Sequence, residues 1–112
     1  MATHELKTWP AFFQAVLDGR KNFDARYDDR GFQAGDTVVL REFDPDKHVL
    51  NPLARIDERY TGRRIRAKIG YVLHAIPHAI RGIQSVQAGH NLEGYVVVSL
   101  LDVERLEDSG GK

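Results

Sequence analysis

The sequence predicts an α+β fold, a small twisted β-barrel or sheet of about five to six strands with one main helix packed at its mouth. One strand-like segment and one helical segment come first, and at least four further strand-like segments follow. The composition, with 42% hydrophobic and 29% charged residues over 112 positions, is typical of one soluble globular domain. We therefore expect a single domain over residues 1–106 and a disordered tail over residues 107–112.

The first strand and the helix are predicted from the N-terminal residues. "THELKT" alternates in the manner of a strand, and a helix then begins with Thr8 as its N-cap and Pro10 in its first turn. Gly19 marks the end of the helix. The apolar face of the helix consists of Trp9, Phe12, Phe13, Val16 and Leu17. This spacing favours a core position for Trp9, although its place beside the helix start also suits stacking on a nucleobase.

The later strands are predicted from alternation and from their β-branched residues. They are "NFDARY", "TVVLREF" (Thr37 to Phe43), "RIRAKIGYVLHA" and "GYVVVSLLDV". In the third of these, Ile65, Ala67, Ile69, Tyr71 and Leu73 are expected to face inward, and Arg64, Arg66 and Lys68 outward. The last strand is apolar on both faces, which indicates a central position.

Two long connections separate these strands. They cover residues 44–61 and 74–93, and the second contains isoleucines at the helical positions Ile76, Ile80 and Ile83. Loops of this length are uncommon in compact domains and often carry binding residues. The helical spacing of the three isoleucines predicts a short helix within the second loop.

Several function classes are excluded by what the sequence lacks. Lys and Arg total 16 and so do Asp and Glu, so any nucleic-acid contact has to come from a local basic patch. There is no cysteine, no phosphate-binding Gly-rich motif and no serine-esterase motif, and no cofactor is predicted. His74 and His78 have helical metal-ligand spacing, but Pro77 lies between them and no third ligand is indicated, so no metal site is predicted. The lack of a signal peptide or an apolar span predicts a cytoplasmic protein.

The most informative stretch is "GRKNFDAR", where the helix gives way to the second strand. Asp24 and Arg26 share one strand face, with Cα atoms about 6.8 Å apart. Lys21 leaves the helix end and can reach the same face. A Lys, a carboxylate and an Arg that converge in this way can bind a phosphate or polarise a carbonyl. The alternative is an ordinary surface ion pair, which contributes roughly 0–1 kcal/mol.

The same stretch resembles the Gly-x-Lys-x-x-Glu-x-Arg signature of ASCH domains, which belong to the PUA-like superfamily. Gly19, Lys21 and Arg26 match the signature, and Asp24 stands where many members carry Glu. Residues 4–46, 60–73 and 94–100 look like a small phage and bacterial ASCH-like family of uncharacterised function. The resemblance implies a PUA-like pseudo-barrel with a helix at its mouth, and a role in RNA binding.

A few relatives implied by this resemblance are hydrolases. One group removes acyl groups from N4-acylcytidine and another consists of ribonucleases. The first group carries a Thr where this chain has Asp24, so the hydroxyl nucleophile of that group is missing here.

Three hypotheses follow. In the first, a cleft lined by Lys21, Asp24 and Arg26 binds RNA or a modified nucleotide. Arg20, Trp9 and the basic strand residues Arg64, Arg66 and Lys68 are the further binding candidates, although the basic strand is equally consistent with a solvated face that protects a sheet edge. In the second, Lys21 and Asp24 catalyse hydrolysis of an acylated nucleoside or of RNA. In the third, the chain is a phage-type interaction or nucleotide-sequestering protein whose long loops, rather than the junction, carry the contact, and deletion of part of residues 76–90 would test it.

Overall fold

The computed structural model describes residues 1–47, 56–74 and 94–106. These residues form β1 (Thr3–Thr8), α1 (Pro10–Leu17), β2 (Phe23–Tyr27), β3 (Thr37–Phe43), β4 (Tyr60–His74) and β5 (Tyr95–Leu106), with a 3₁₀ turn at Ile56–Arg59 before β4. The predicted helix and strands are confirmed, and β4 begins earlier than its alternation indicated. The predicted short helix of the second loop and the tail at 107–112 lie outside the described residues.

The five described strands form one sheet in the order β1-β3-β4-β5-β2. The β1–β3 pair is parallel and the other three pairs are antiparallel. The sheet is curled into a half-barrel, which agrees with the predicted barrel-like α+β architecture. Its two outer strands approach one another. Arg26 on β2 donates a hydrogen bond from Nη2 to the carbonyl of Lys7 on β1, at 3.4 Å. As predicted, β5 lies inside the sheet, between β4 and β2.

The core lies between the concave face of the sheet and α1. It consists of Leu6, Phe13, Val16, Phe32, Val38, Leu40, Ile65, Ala67, Ile69, Val96, Val98 and Leu100. A helix of eight residues is only marginally stable by itself, and α1 has no side-chain hydrogen bond at its N-cap. Burial of Phe13 and Val16 against the sheet therefore holds α1 in place. In the described ranges no helix is both long enough and apolar enough to cross a bilayer.

Two predictions about the start of the helix are wrong. The N-cap is Trp9 rather than Thr8, because Thr8 is the last residue of β1 and is buried. The core position favoured for Trp9 is also wrong, since 55% of this residue is exposed. Trp9 has an extended backbone, with φ −66° and ψ 153°, so the helical periodicity that placed it with Phe13 and Val16 does not apply to it.

The inward positions predicted for Tyr71 and Leu73 are wrong as well. Tyr71 is 67% exposed and Leu73 is 44% exposed. Between Ile69 and Val72 the pairing with β5 shifts by one residue. An extra residue in one strand reverses the phase of the alternation beyond it, so Val72 packs against the core instead.

Candidate functional site

The end of α1 fixes the position of Lys21. Gly19 has φ +79°, a left-handed conformation that glycine adopts at low cost. The backbone N–H groups of Gly19 and Arg20 donate to the carbonyls of Val16 and Ala15, at 3.1 and 2.9 Å. This pair of bonds is the Schellman arrangement, and it reverses the chain so that Lys21 returns beside the helix.

The second strand then places Asp24 and Arg26 on the concave side of the sheet. Asp24 is paired in register with Val98, and Arg26 with Val96, both of which are core residues. Directly paired residues point to the same face of a sheet, so the two charged side chains face the same way as the core. The predicted period-two placement of Asp24 and Arg26 is confirmed.

Asp24 is the buried centre of the charged group. Only 5% of it is exposed, and its carboxylate forms an ion pair with Nε of Arg26. Its Oδ1 lies 3.4 Å from Nζ of Lys21, which also donates to the carbonyl of Phe23 at 2.9 Å. We call Lys21, Asp24 and Arg26 the charged floor. Two cations and one carboxylate give the charged floor a single net positive charge. The carboxylate also orients both cations.

The charged floor belongs to a cleft of about 370 Å³ between the two outer strands. Its lining residues are Lys7, Thr8, Trp9, Phe12, Lys21, Asp24, Ala25 and Arg26. The Trp9 and Phe12 rings stack with centroids 6.5 Å apart and planes 14° from parallel, and about half of each residue is exposed. We call these two residues the aromatic wall. Nζ of Lys21 lies 5.5 Å from the centre of the Phe12 ring, which joins the wall to the floor.

The cleft brings together only some of the predicted binding residues. Trp9 lines the cleft together with the charged floor. Arg20 does not line the cleft, and its Nη2 lies 3.2 Å from Oδ2 of Asp18. The remaining candidates are Arg64, Arg66 and Lys68, which alternate with buried Ile65, Ala67 and Ile69 and so occupy the outer face of the sheet.

The basic strand is not a sheet edge, because β4 lies between β3 and β5. Arg66 is paired with Glu104 at 2.7 Å. Both residues line a separate cavity of about 340 Å³ together with Lys68 and Asp102. The outer face therefore presents charges of both signs near Arg66 rather than a uniform basic stripe.

Glu42 is a second buried carboxylate close to the cleft. Its Cα is in register with that of Thr8, a residue that lines the cleft, and only 5% of Glu42 is exposed. Hydrogen bonds from Arg63, and then from Thr61, hold the pKa of Glu42 below its usual value. Glu5 on β1 is exposed, and its Oε1 lies 3.6 Å from Nη1 of Arg41. Neither glutamate has a hydrogen bond to Lys21 in the described structure.

The structure describes one of the two histidines that have metal-ligand spacing. His74 is the last residue of β4, and His78 lies outside the described residues. Among the residues that are described, no three His, Asp or Glu side chains form a cluster that could hold a metal ion.

Sequence reasoning missed Phe12 and Thr8 as cleft residues. The sequence pattern predicts Phe12 on the buried helix face and Thr8 as the helix cap, yet both line the cleft. One signal was available for Phe12, because it lies at the margin of an apolar stripe that is wide for so short a helix. Thr8 carried no such signal, since a buried Thr at the end of a strand is ordinary.

Residues 3–100 match the family described as Domain of unknown function (DUF3850). The chain belongs to this family. One relative is an uncharacterised 12.9 kDa protein in the GpA 3′ region of Escherichia phage P2, which is 32% identical over 66 residues. That alignment covers 59% of this chain and 50% of the phage protein, so the chain spans about half the length of the relative it matches. The DUF3850 match includes the whole cleft, since every lining residue lies between positions 7 and 26.

Proposed function

We propose that this DUF3850 protein is an ASCH-type, PUA-like domain whose cleft binds RNA or a modified nucleotide. The observation that carries the proposal is the meeting of the charged floor and the aromatic wall in one cleft. A phosphate requires positive charge, and an unpaired base requires a flat apolar surface. The cleft offers both within the dimensions of one nucleotide.

The geometry supports each half of this recognition. Base stacking on an exposed aromatic residue is worth about 1–3 kcal/mol per base, and Trp9 and Phe12 are half-exposed and nearly parallel. Lys21 and Arg26 are held by Asp24 before any ligand arrives, so less side-chain entropy is lost on binding. A volume of about 370 Å³ also falls within the usual range of small-molecule sites.

Binding is favoured over hydrolysis by the bonds of Lys21. A general base has to accept a proton from water, whereas Nζ of Lys21 donates to the Phe23 carbonyl and to Asp24. Two of the three N–H donors of its ammonium group are used in this way, and the third is left for an anion. Asp24 is likewise engaged by Arg26, and its contacts are those of an orienting group. The protein-interaction hypothesis places the partner contact on the long loops, whose residues 48–55 and 75–93 lie outside the described residues.

The test uses end-labelled single-stranded RNA on native and denaturing gels. We expect wild type to shift the RNA intact, and Lys21→Ala and Trp9→Ala each to weaken binding about tenfold or more. Lys68→Ala is the matched control, because it removes the same charge from the outer face, and it should bind like wild type.

Three results would contradict the proposal. Equal losses for Lys68→Ala and Lys21→Ala would place binding outside the cleft. Shortened RNA that is absent with Lys21→Ala would assign a ribonuclease activity instead. No shift and no cleavage, repeated with free modified nucleosides, would exclude nucleotide binding and favour a protein partner.

A further inference from the structure

A partly buried ion pair lies against α1. Arg63 on β4 donates to Glu42 on β3 through Nε, at 2.9 Å, and through Nη2, at 3.0 Å. Thr61 donates its hydroxyl to the same carboxylate at 2.6 Å. The Glu42 side chain is 7% exposed and that of Arg63 is 26% exposed. This bidentate geometry fixes the orientation of the guanidinium as well as strengthening the ion pair.

The same guanidinium is attached to the helix. Nη2 of Arg63 donates to Oε1 of Gln14 at 3.1 Å, and its Cζ lies 4.8 Å from the centre of the Phe13 ring. Gln14 and Phe13 are neighbours on α1. Arg63 therefore links the sheet to the middle of the helix. It contacts the sheet through Glu42, and the helix through a hydrogen bond to Gln14 and a cation–π contact with Phe13.

Burial of Phe13 and Val16 holds α1 on the sheet, and the N-terminal end of the helix adds little to fix its tilt. The helix is eight residues long and has no N-cap side-chain bond and no acidic residue in its first turn. The aromatic wall depends on that tilt, since Phe12 lies within α1 and Trp9 is its N-cap. A small tilt of α1 moves both rings relative to the charged floor.

We propose that Arg63 is a positioning residue that holds the aromatic wall over the charged floor through Gln14 and Phe13. This inference rests on the proposed nucleotide binding, because it assigns a role in that site to a residue that does not line the cleft. Without Arg63, α1 samples several orientations. The apparent affinity for RNA then falls in proportion to the time that α1 spends in the competent one.

The experiment compares Arg63→Lys with Arg66→Lys. Arg63→Lys keeps a positive charge beside Glu42 but loses the planar fork that reaches Gln14 and stacks on Phe13. Arg66→Lys makes the same change in the exposed Arg66–Glu104 pair on the outer face. The readouts are the dissociation constant for single-stranded RNA and acrylamide quenching of Trp9, which is the only tryptophan of the chain.

We expect Arg63→Lys to weaken RNA binding about tenfold and to increase Trp9 quenching in the free protein, with Arg66→Lys unchanged in both. Gln14→Leu should have the effect of Arg63→Lys without altering Glu42. Gln14→Leu and Gln14→Glu both lose the Nε2 donor to Asp18, at 2.9 Å, but only Gln14→Glu retains an acceptor for Arg63, so it should lie closer to wild type in both readouts.

The outcomes separate this inference from the proposed function. If wild type binds no RNA, the proposed function fails, and Trp9 quenching in the free protein still decides whether Arg63 positions the wall. If folded Arg63→Lys matches Arg66→Lys in quenching, the positioning role is refuted. If quenching changes and RNA affinity does not, Arg63 orders the helix without serving binding, and the inference is refuted too.

Discussion

Replacement of Arg63 by Ala tests the energetics of the buried pair. The variant leaves Glu42, which is 5% exposed, with Thr61 as its one remaining hydrogen-bond donor among those that the structure shows. Removing one partner of a buried pair costs about 3–5 kcal/mol. Because the Arg63 side chain is 26% exposed, water reaches part of the pair, and we expect the lower end, about 3 kcal/mol at pH 7. Arg66→Ala breaks a pair whose side chains are 51% and 57% exposed and should cost about 0–1 kcal/mol.

Urea unfolding at pH 7 and at pH 3 measures both differences. With an m-value of about 2 kcal/mol per molar urea, Arg63→Ala should lower the midpoint by about 1.5 M at pH 7. In the folded wild type the pKa of Glu42 is depressed, so the pair stabilises the fold above about pH 4.3 and that contribution is lost as the pH falls further. The penalty of Arg63→Ala should therefore shrink in acid, because the unfolded chain takes up a proton at Glu42 that the lowered pKa of the folded wild type resists.

The refuting results are specific. An equal penalty at both pH values would mean that lost packing on Phe13 dominates, rather than the unpaired carboxylate. Equal midpoints for Arg63→Ala and Arg66→Ala would refute the burial argument itself.

Three further predictions concern single side chains. Thr8→Val should raise the free energy of unfolding by about 1 kcal/mol in urea titrations, because the buried Thr8 hydroxyl has no hydrogen-bond partner among the described residues; a lower midpoint would reveal one. Asp36→Asn should flatten the acid limb of stability below about pH 3.9, because a hydrogen bond from His4 and then the Ala2 amide lower the pKa of Asp36, and the stability this provides is lost as pH falls; parallel limbs for wild type and variant would contradict it. Asp24→Asn doubles the net positive charge of the floor, so the slope of log affinity for RNA against log salt should steepen by about 0.7 in filter-binding titrations; an unchanged slope would mean that no phosphate contacts the floor.

Local patterns were sufficient to predict the secondary structure and the charged floor. β1 follows from alternation within six residues, β3 from a run that opens with three β-branched residues, and Gly19 from the need for a left-handed residue after a helix. Asp24 and Arg26 share a face because successive strand residues alternate, whatever the strand pairs with. Each of these conclusions depends on residues that are close neighbours in the chain.

The errors in β4 have a different origin. The phase of its side chains changes where the pairing with β5 shifts, between Ile69 and Val72. A bulge is a property of two strands together, so the alternation of β4 alone does not reveal it. The placement of Arg66 and Lys68 on the opposite face from the cleft likewise depends on which face of the sheet α1 covers.

The sequence by itself determined that a Lys, an Asp and an Arg would meet where the helix joins the second strand, because a helix end and a strand period impose this locally. Only the tertiary structure decided which residues from other parts of the chain lie beside this charged group. The curl of the sheet brings the outer strands together, and Arg26 reaches the carbonyl of Lys7, 19 residues away. Arg63 and Glu42, 21 residues apart, hold the helix that exposes Trp9 and Phe12. Such contacts are set by how the whole core packs, and no short stretch of sequence contains that information.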